Sequence, residues 1–223
     1  MLIDAIGALL PAAVAVALSP IPIIAVVLVL GSPHARTSGP AFAFGWVLGL
    51  TVVSVAVVQF VGGASDPTTD TATGVNWMLA AVGILLLAMA GRQWRKRPKA
   101  GEAPEMPAWM STVDEVAPGK AFVLGVALSA VNPKNLTLTA AASAGIAKVG
   151  LDDTDTAIAV ATFVVIGSIT VAGAVLAYLV AQSWAATPLA SIRQFMSDHN
   201  AAIMMVILLL LGVKVLGDAI PAL

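Results

Sequence analysis

Six times along the chain an apolar stretch runs long enough to cross a hydrocarbon core of about 30 Å as a helix. The stretches lie at about residues 4–31, 40–63, 75–91, 119–147, 156–182 and 200–220. They leave few folds open, because in lipid every backbone N–H and C=O needs a partner within the protein, and a helix supplies those partners locally. The expectation is an all-α, polytopic membrane protein of six transmembrane helices. Composition agrees: 59% of the residues are hydrophobic and 10% charged, where soluble domains carry roughly a quarter charged residues. A net charge of −1 offers nothing to a nucleic acid. The lack of any cysteine excludes disulfides, thiolate metal sites and thiol redox chemistry. The two histidines, His34 and His199, are too few and too close to water to argue for a metal, and neither metal nor cofactor is expected. The N-terminus lacks the basic stretch of a signal peptide and carries Asp4 instead, so it reads as a retained first span.

Lysine and arginine set the expected orientation. Arg36, Arg92, Arg95, Lys96, Arg97, Lys99, Lys120 and Arg193 fall at one set of span ends, Lys148 and Lys214 at the other. The positive-inside rule then puts both termini outside and the long basic connector after the third span in the cytoplasm. The acidic clusters Asp66 with Asp70, and Asp152, Asp153 with Asp155, fall in outer loops. Three spans before the connector and three after it predict two halves, 1–91 and 118–223, joined by a cytoplasmic linker at 92–117. Three being odd, equivalent helices of the halves run in opposite directions. A sequence trace accompanies this: VALSPIP at 16–22 and VALSAVNP at 126–133 each sit near the middle of the first span of their half.

Both tags contain proline, which removes a helical hydrogen bond and disfavours helical geometry at the residue before it. Spans one and four are therefore predicted to break at Ser19-Pro20-Ile21-Pro22 and at Asn132-Pro133, with half-helices starting at about Ile23 and Asn135. A packing kink is the plainer account of one such proline; two at matched positions of an inverted repeat point to a midplane binding site.

Lys134 sharpens that reading. A lysine at the centre of a span costs at least about 2.5 kcal/mol on insertion scales, so such residues face a cavity or a partner. About 20 Å of helix on either side is too far for its stem to reach an interface. All twelve carboxylates lie in loops or near span ends, which leaves two ways to neutralise it: the carbonyl ends of the broken helices, or a mobile anion. Half-helix N-termini aimed at the midplane bind phosphate, sulfate or carboxylate well, and Asn132, Asn135, Thr137 and Thr139 add hydrogen-bonding groups. The expected substrate site comprises Ser19, Pro20, Pro22, Asn132, Pro133, Lys134, Asn135 and Thr137, for an anionic or sugar-like group. A hard cation fits poorly without a mid-depth carboxylate.

Other features have plainer readings. His34 and Arg36 in the turn GSPHAR could meet an anionic headgroup entering from the inner leaflet, although topology alone explains a basic residue there. Gly45 and Gly49 form a GxxxG for close helix packing, within one chain or across a homodimer. Trp77, Trp94 and Trp184 near span ends read as interfacial anchors. The run RQWRKRPK at 92–99 is a topology determinant that also suits anionic lipid.

The block LSPIPIIAVVLVLGSPHARTSGPAFAFGWVLGL at 18–50, with LSAVNPKNLTLTAAASAGIA at 128–147, resembles the GAP family of glycopeptidolipid-addressing and sulfolipid-1-addressing membrane proteins, within the lysine-exporter superfamily. The likeness runs over essentially the whole chain. The residues that carry it are Ser19, Pro20, Pro22, Gly31, Pro33, Arg36, Gly45, Trp46, Asn132, Pro133, Lys134 and Asn135. The resemblance implies export of large amphipathic cell-envelope lipids across a bacterial plasma membrane, with membrane lipids or glycolipids as cargo and other components of a lipid-export system as partners.

Three classes of function stay in play. One is a transporter that exposes the Lys134 centre alternately to each side. The second is an accessory scaffold of a lipid-export machine. The third, an intramembrane enzyme, ranks last, because no nucleophile with a base, carboxylate pair or metal cluster assembles at one depth.

Overall fold

The structure is a computed structural model that describes residues 1–64, 77–95 and 116–219. Asp66, Asp70, Lys96, Arg97 and Lys99, named above, lie outside the described residues, as does the side chain of Trp77. The described residues form helices and contain no strand: α1 (Leu2–Ala17), α2 (Pro20–Leu30), α3 (Ala35–Ala64), α4 (Trp77–Arg95), α5 (Pro118–Val126), a π-helical turn (Ala127–Val131), α6 (Pro133–Lys148), α7 (Asp153–Val180) and α8 (Gln182–Ala219). Within α3, α7 and α8, stretches of 27, 28 and 31 residues are long and apolar enough to cross a membrane alone. The pairs α1–α2 and α5–α6 meet the same criterion only when joined, being bent by 49° and 59° at their breaks. The chain is a multi-pass membrane protein. The third predicted span coincides with α4, a helix that is not among those meeting the criterion.

One expected connector is corrected. Residues 185–200, which the span limits at 182 and 200 leave as a connector, continue α8. Hydropathy marks where lipid begins, whereas helix formation needs enough residues that favour the helix, and here Ala, Leu, Gln, Arg and Met carry it past Pro188, which lies inside α8.

The helix ends follow from local chemistry. Pro20, Pro118 and Pro133 open α2, α5 and α6, where the fixed φ of proline suits the first turn and its missing N–H would have had no helical acceptor. Asp152 caps α7 by accepting from the Asp155 amide at 2.8 Å, and Asp153 and Asp155 place negative charge on that helix's positive end. After α6 the chain turns at Gly150, which has φ +67°, a conformation that glycine adopts without steric cost.

The chain divides into two compact units. The first, residues 1–65 and 106–196, holds α1 to α3, α5 to α7 and the start of α8. Its tightest packing joins α3 to α5 through glycine. A Cβ on Gly45 would meet the Phe122 carbonyl, one on Gly125 the Phe42 carbonyl, and one on Gly49 the Ser129 side chain. The GxxxG therefore packs within one chain, which resolves the alternative left open above. Rising numbers on α3 pair with rising numbers on α5 and the π turn, so these elements run parallel. Phe44 and Phe122 stack over the contact with ring centroids 5.9 Å apart. Phe42, Trp46 and Leu50 fill the interior on a neighbouring stripe of α3, each at most 1% exposed, while Phe44, Leu48, Val52 and Val55 stay exposed on the outer face. In a lipid-facing unit the apolar outer face gains nothing by burial, and close approach of backbones at small residues holds the helices together.

The second unit, residues 66–105 and 197–223, pairs α4 with the C-terminal part of α8. Gly83 faces Leu216 and Gly212 faces Leu87. Each glycine receives a leucine of the other helix, and the falling pairing makes them antiparallel.

Candidate functional site

The two breaks meet in the first unit. At the first, Leu18 leaves the helix and Ser19 is extended, with φ −67° and ψ 113°. The Ser19 amide turns back to the Val16 carbonyl at 3.1 Å instead of bonding Ala15, and Pro20 and Pro22 contribute no N–H. The last turn of α1 thus holds carbonyls without their usual helical donors. Two of these are taken by side chains from other helices: Lys134 Nζ donates to the Ala15 carbonyl at 2.8 Å, and Thr170 Oγ1 of α7 donates to the Ala17 carbonyl at 2.6 Å.

At the second break the helix widens before it stops. The Asn132 amide donates to the Ala127 carbonyl at 2.9 Å, a five-residue step that makes the turn π-helical. Compared with VALSPIP, the second tag carries Ala130, Val131 and Asn132 between its serine and its proline, and these residues lead through the wide turn to the break. Asn132 then caps α6, its Oδ1 accepting from the Lys134 amide at 3.1 Å. The half-helices accordingly begin at Pro20 and Pro133, three and two residues earlier than expected, because proline occupies the first helical position itself.

A single chain of hydrogen bonds joins the breaks. Lys134 Nζ donates to Ser19 Oγ at 2.6 Å, Ser19 Oγ donates to Asn135 Oδ1 at 2.7 Å, and Asn135 Nδ2 donates to the Leu128 carbonyl at 2.9 Å. Ser19 has one proton, and the 2.7 Å geometry to Asn135 takes precedence over a 3.4 Å approach to the Ala15 carbonyl. Lys134 is 4% exposed, Ser19 2% and Asn135 0%. Lys134 has no carboxylate partner among the described residues. Two half-helix N-termini and the lysine concentrate positive potential at this point, and the carbonyl end of α1 offsets it. Of the two means of neutralisation expected, this conformation uses the carbonyl.

Of the eight predicted substrate residues, Ser19, Lys134 and Asn135 converge. Pro20 and Pro133 set the breaks, Pro22 is buried in the first turn of α2, and Asn132 serves as a cap. Thr137 does not join the centre: its hydroxyl donates to Pro133 of its own helix at 2.7 Å. Thr139, fully buried, belongs to the interior face instead. His34 is exposed in the turn between α2 and α3 and Arg36 in the first turn of α3, both past the far end of α2, an eleven-residue helix that measures about 16 Å. The His34 carbonyl accepts from Thr37 and Ser38, so that residue helps to start α3. Sequence reading missed Thr170, which nothing in its apolar surroundings distinguishes, and the backbone acceptors Ala15 and Leu128. No group of His, Cys, Asp or Glu suited to a metal occurs among the described residues.

No curated protein and no solved structure matches the chain. The family described as "Sap, sulfolipid-1-addressing protein" matches residues 9–221, nearly the full length and both broken spans, and the chain belongs to that family.

Proposed function

We propose that this protein exports an anionic or glycosylated amphipathic cell-envelope lipid across the bacterial plasma membrane, with Ser19, Lys134 and Asn135 as its headgroup site. The observation that carries the reading is a buried lysine, with only neutral partners, at the meeting point of two half-helix N-termini. Such a centre attracts a sulfate, phosphate or carboxylate, and the carbonyl and hydroxyl now bonded to Lys134 are groups an incoming anion can replace. Alternating exposure of the centre would follow from bending at Ser19 and Asn132, as in transporters built from inverted repeats with broken helices. The charge pattern supports termini outside and a cytoplasmic connector, and the lysine-exporter superfamily is the wider group such an architecture fits. The family's sulfolipid-addressing description supports lipid as cargo, and no catalytic role is assigned.

A second reading has its own observation. The direct bonds from Lys134 to Ala15 and Ser19 also make it a clasp between helices, which suits a non-transporting scaffold of a lipid-export machine. The test is surface delivery of the lipid in the native host carrying Lys134→Met. A transporter loses delivery at unchanged protein abundance; delivery at the native level would leave the scaffold as the better account.

A further inference from the structure

Hydroxyls in this chain's helices ordinarily bond a carbonyl one turn back. Thr51 donates to Val47 at 2.8 Å, Thr137 to Pro133 at 2.7 Å, Thr162 to Ile158 at 2.8 Å and Ser129 to Gly125 at 2.9 Å. Ser38 and Thr170 instead reach carbonyls of other segments, those of Val116 and Ala17, at 2.6 Å each, and four buried hydroxyls reach none. Ser54 of α3, Thr139 and Ser143 of α6 and Ser168 of α7 have no partner, although Ser54, Thr139 and Ser143 are 0% and Ser168 4% exposed. A buried hydroxyl left unpaired is costly in an apolar interior and is rare in native proteins. Four in one unit call for a role.

Their positions are ordered. Asn135, Thr139 and Ser143 recur every fourth residue and form one stripe of α6, which starts at the Lys134 centre and rises about 12 Å toward the C-terminal end of the helix. Since α3 runs parallel to the α5–α6 span, with Gly49 beside Ser129, Ser54 lies level with the start of α6. Ser168 follows Gly167, where a Cβ would contact Val16 and Leu50, so it lies at the depth of the first break. The hydroxyls of Ser54 and Ser168 thus lie at the depth of the centre, and those of Thr139 and Ser143 continue beyond it along α6. None carries charge, and each both donates and accepts.

We propose that Thr139 and Ser143, with Ser54 and Ser168 at their base, line the exit path by which the hydroxyl-rich sugar portion of a headgroup leaves the Lys134 centre toward the outer side, where α6 ends at Lys148. The proposal rests on the export reading above and adds the route and its chemistry. In the conformation described here the path is packed shut and its hydroxyls face protein; when it opens, water or sugar hydroxyls pair with them.

The absence of cysteine makes the test direct. Thr139→Cys, Ser143→Cys and Leu138→Cys are expressed singly in the full chain, in the native host deleted for its own copy, and intact cells are treated with a sulfonate-bearing, membrane-impermeant thiol reagent. Leu138 is equally buried, at 2% exposure, but points about 100° away from Thr139 around the helix. The expected result is labelling at 139 and 143 at least five times faster than at 138. Alongside it, the Thr139→Val, Ser143→Ala double variant keeps its melting temperature, having lost only unpaired hydroxyls, and delivers glycolipid to the surface at least fivefold more slowly. Equal labelling at all three positions, or none, overturns the path, as does native delivery by the double variant. If Lys134→Met delivers normally while 139 and 143 label, the headgroup centre fails and the path stands. If Lys134→Met abolishes delivery while 139 and 143 stay unlabelled, the centre stands and the path fails.

Discussion

Ser19 and Asn132 occupy the same place in the two breaks, each the last extended residue before the proline that opens a half-helix, and they use their side chains in opposite ways. Asn132 turns inward on its own helix and caps α6 through the Lys134 amide. Ser19 leaves α2 without a side-chain cap and reaches across to Lys134 and Asn135. One break is therefore self-sufficient and delivers charge; the other is incomplete alone and receives it. A proline shows where a span stops, but the residue before it decides whether the opened turn is sealed locally or becomes half of a shared site.

Five substitutions test that contrast, from the largest expected effect down. Lys134→Met should lower surface delivery of lipid at least tenfold at constant abundance, measured in the native host, because it removes the charge while a side chain of similar size keeps the packing. Ser19→Ala should cost about 2 kcal/mol in thermal unfolding of the purified protein, since it removes two interhelical bonds, one to a buried lysine. A double-mutant cycle with Asn135→Ala should return a coupling of about 1 kcal/mol; additivity would mean that the two breaks are energetically separate. Asn132→Ala should cost about 1 kcal/mol, the usual loss of a cap, and combine additively with Ser19→Ala to within about 0.5 kcal/mol. Thr137→Val should change neither stability nor delivery beyond about 0.5 kcal/mol, its hydroxyl bonding only its own helix.

Much of this arrangement was legible in the amino-acid order. Proline in an apolar run and a lysine without a carboxylate violate strong rules, and strong rules are visible without coordinates; they identified Ser19, Lys134 and Asn135. Thr137 and Thr139 were indistinguishable in the same way, because which of two nearby residues faces the interior depends on helix rotation, and that is set by packing against α1 and α3. The π turn was hidden as well, although three extra residues before Pro133 were its trace. The first half of α8 was missed because hydropathy separates lipid from water, not helix from coil.

The bond from Thr170 to the Ala17 carbonyl has a mechanical meaning. Together with the bond from Lys134 to Ala15, it fastens the last turn of α1 to α7 and to α6, on the near side of the Ser19 break. A hinge needs one arm held still, and the Thr170 bond still holds α1 when an anion takes the place of the Ala15 carbonyl on Lys134. If Ser19 bends as the export reading requires, α2 moves relative to a fixed α1, and His34, in the turn at the far end of α2, travels farthest.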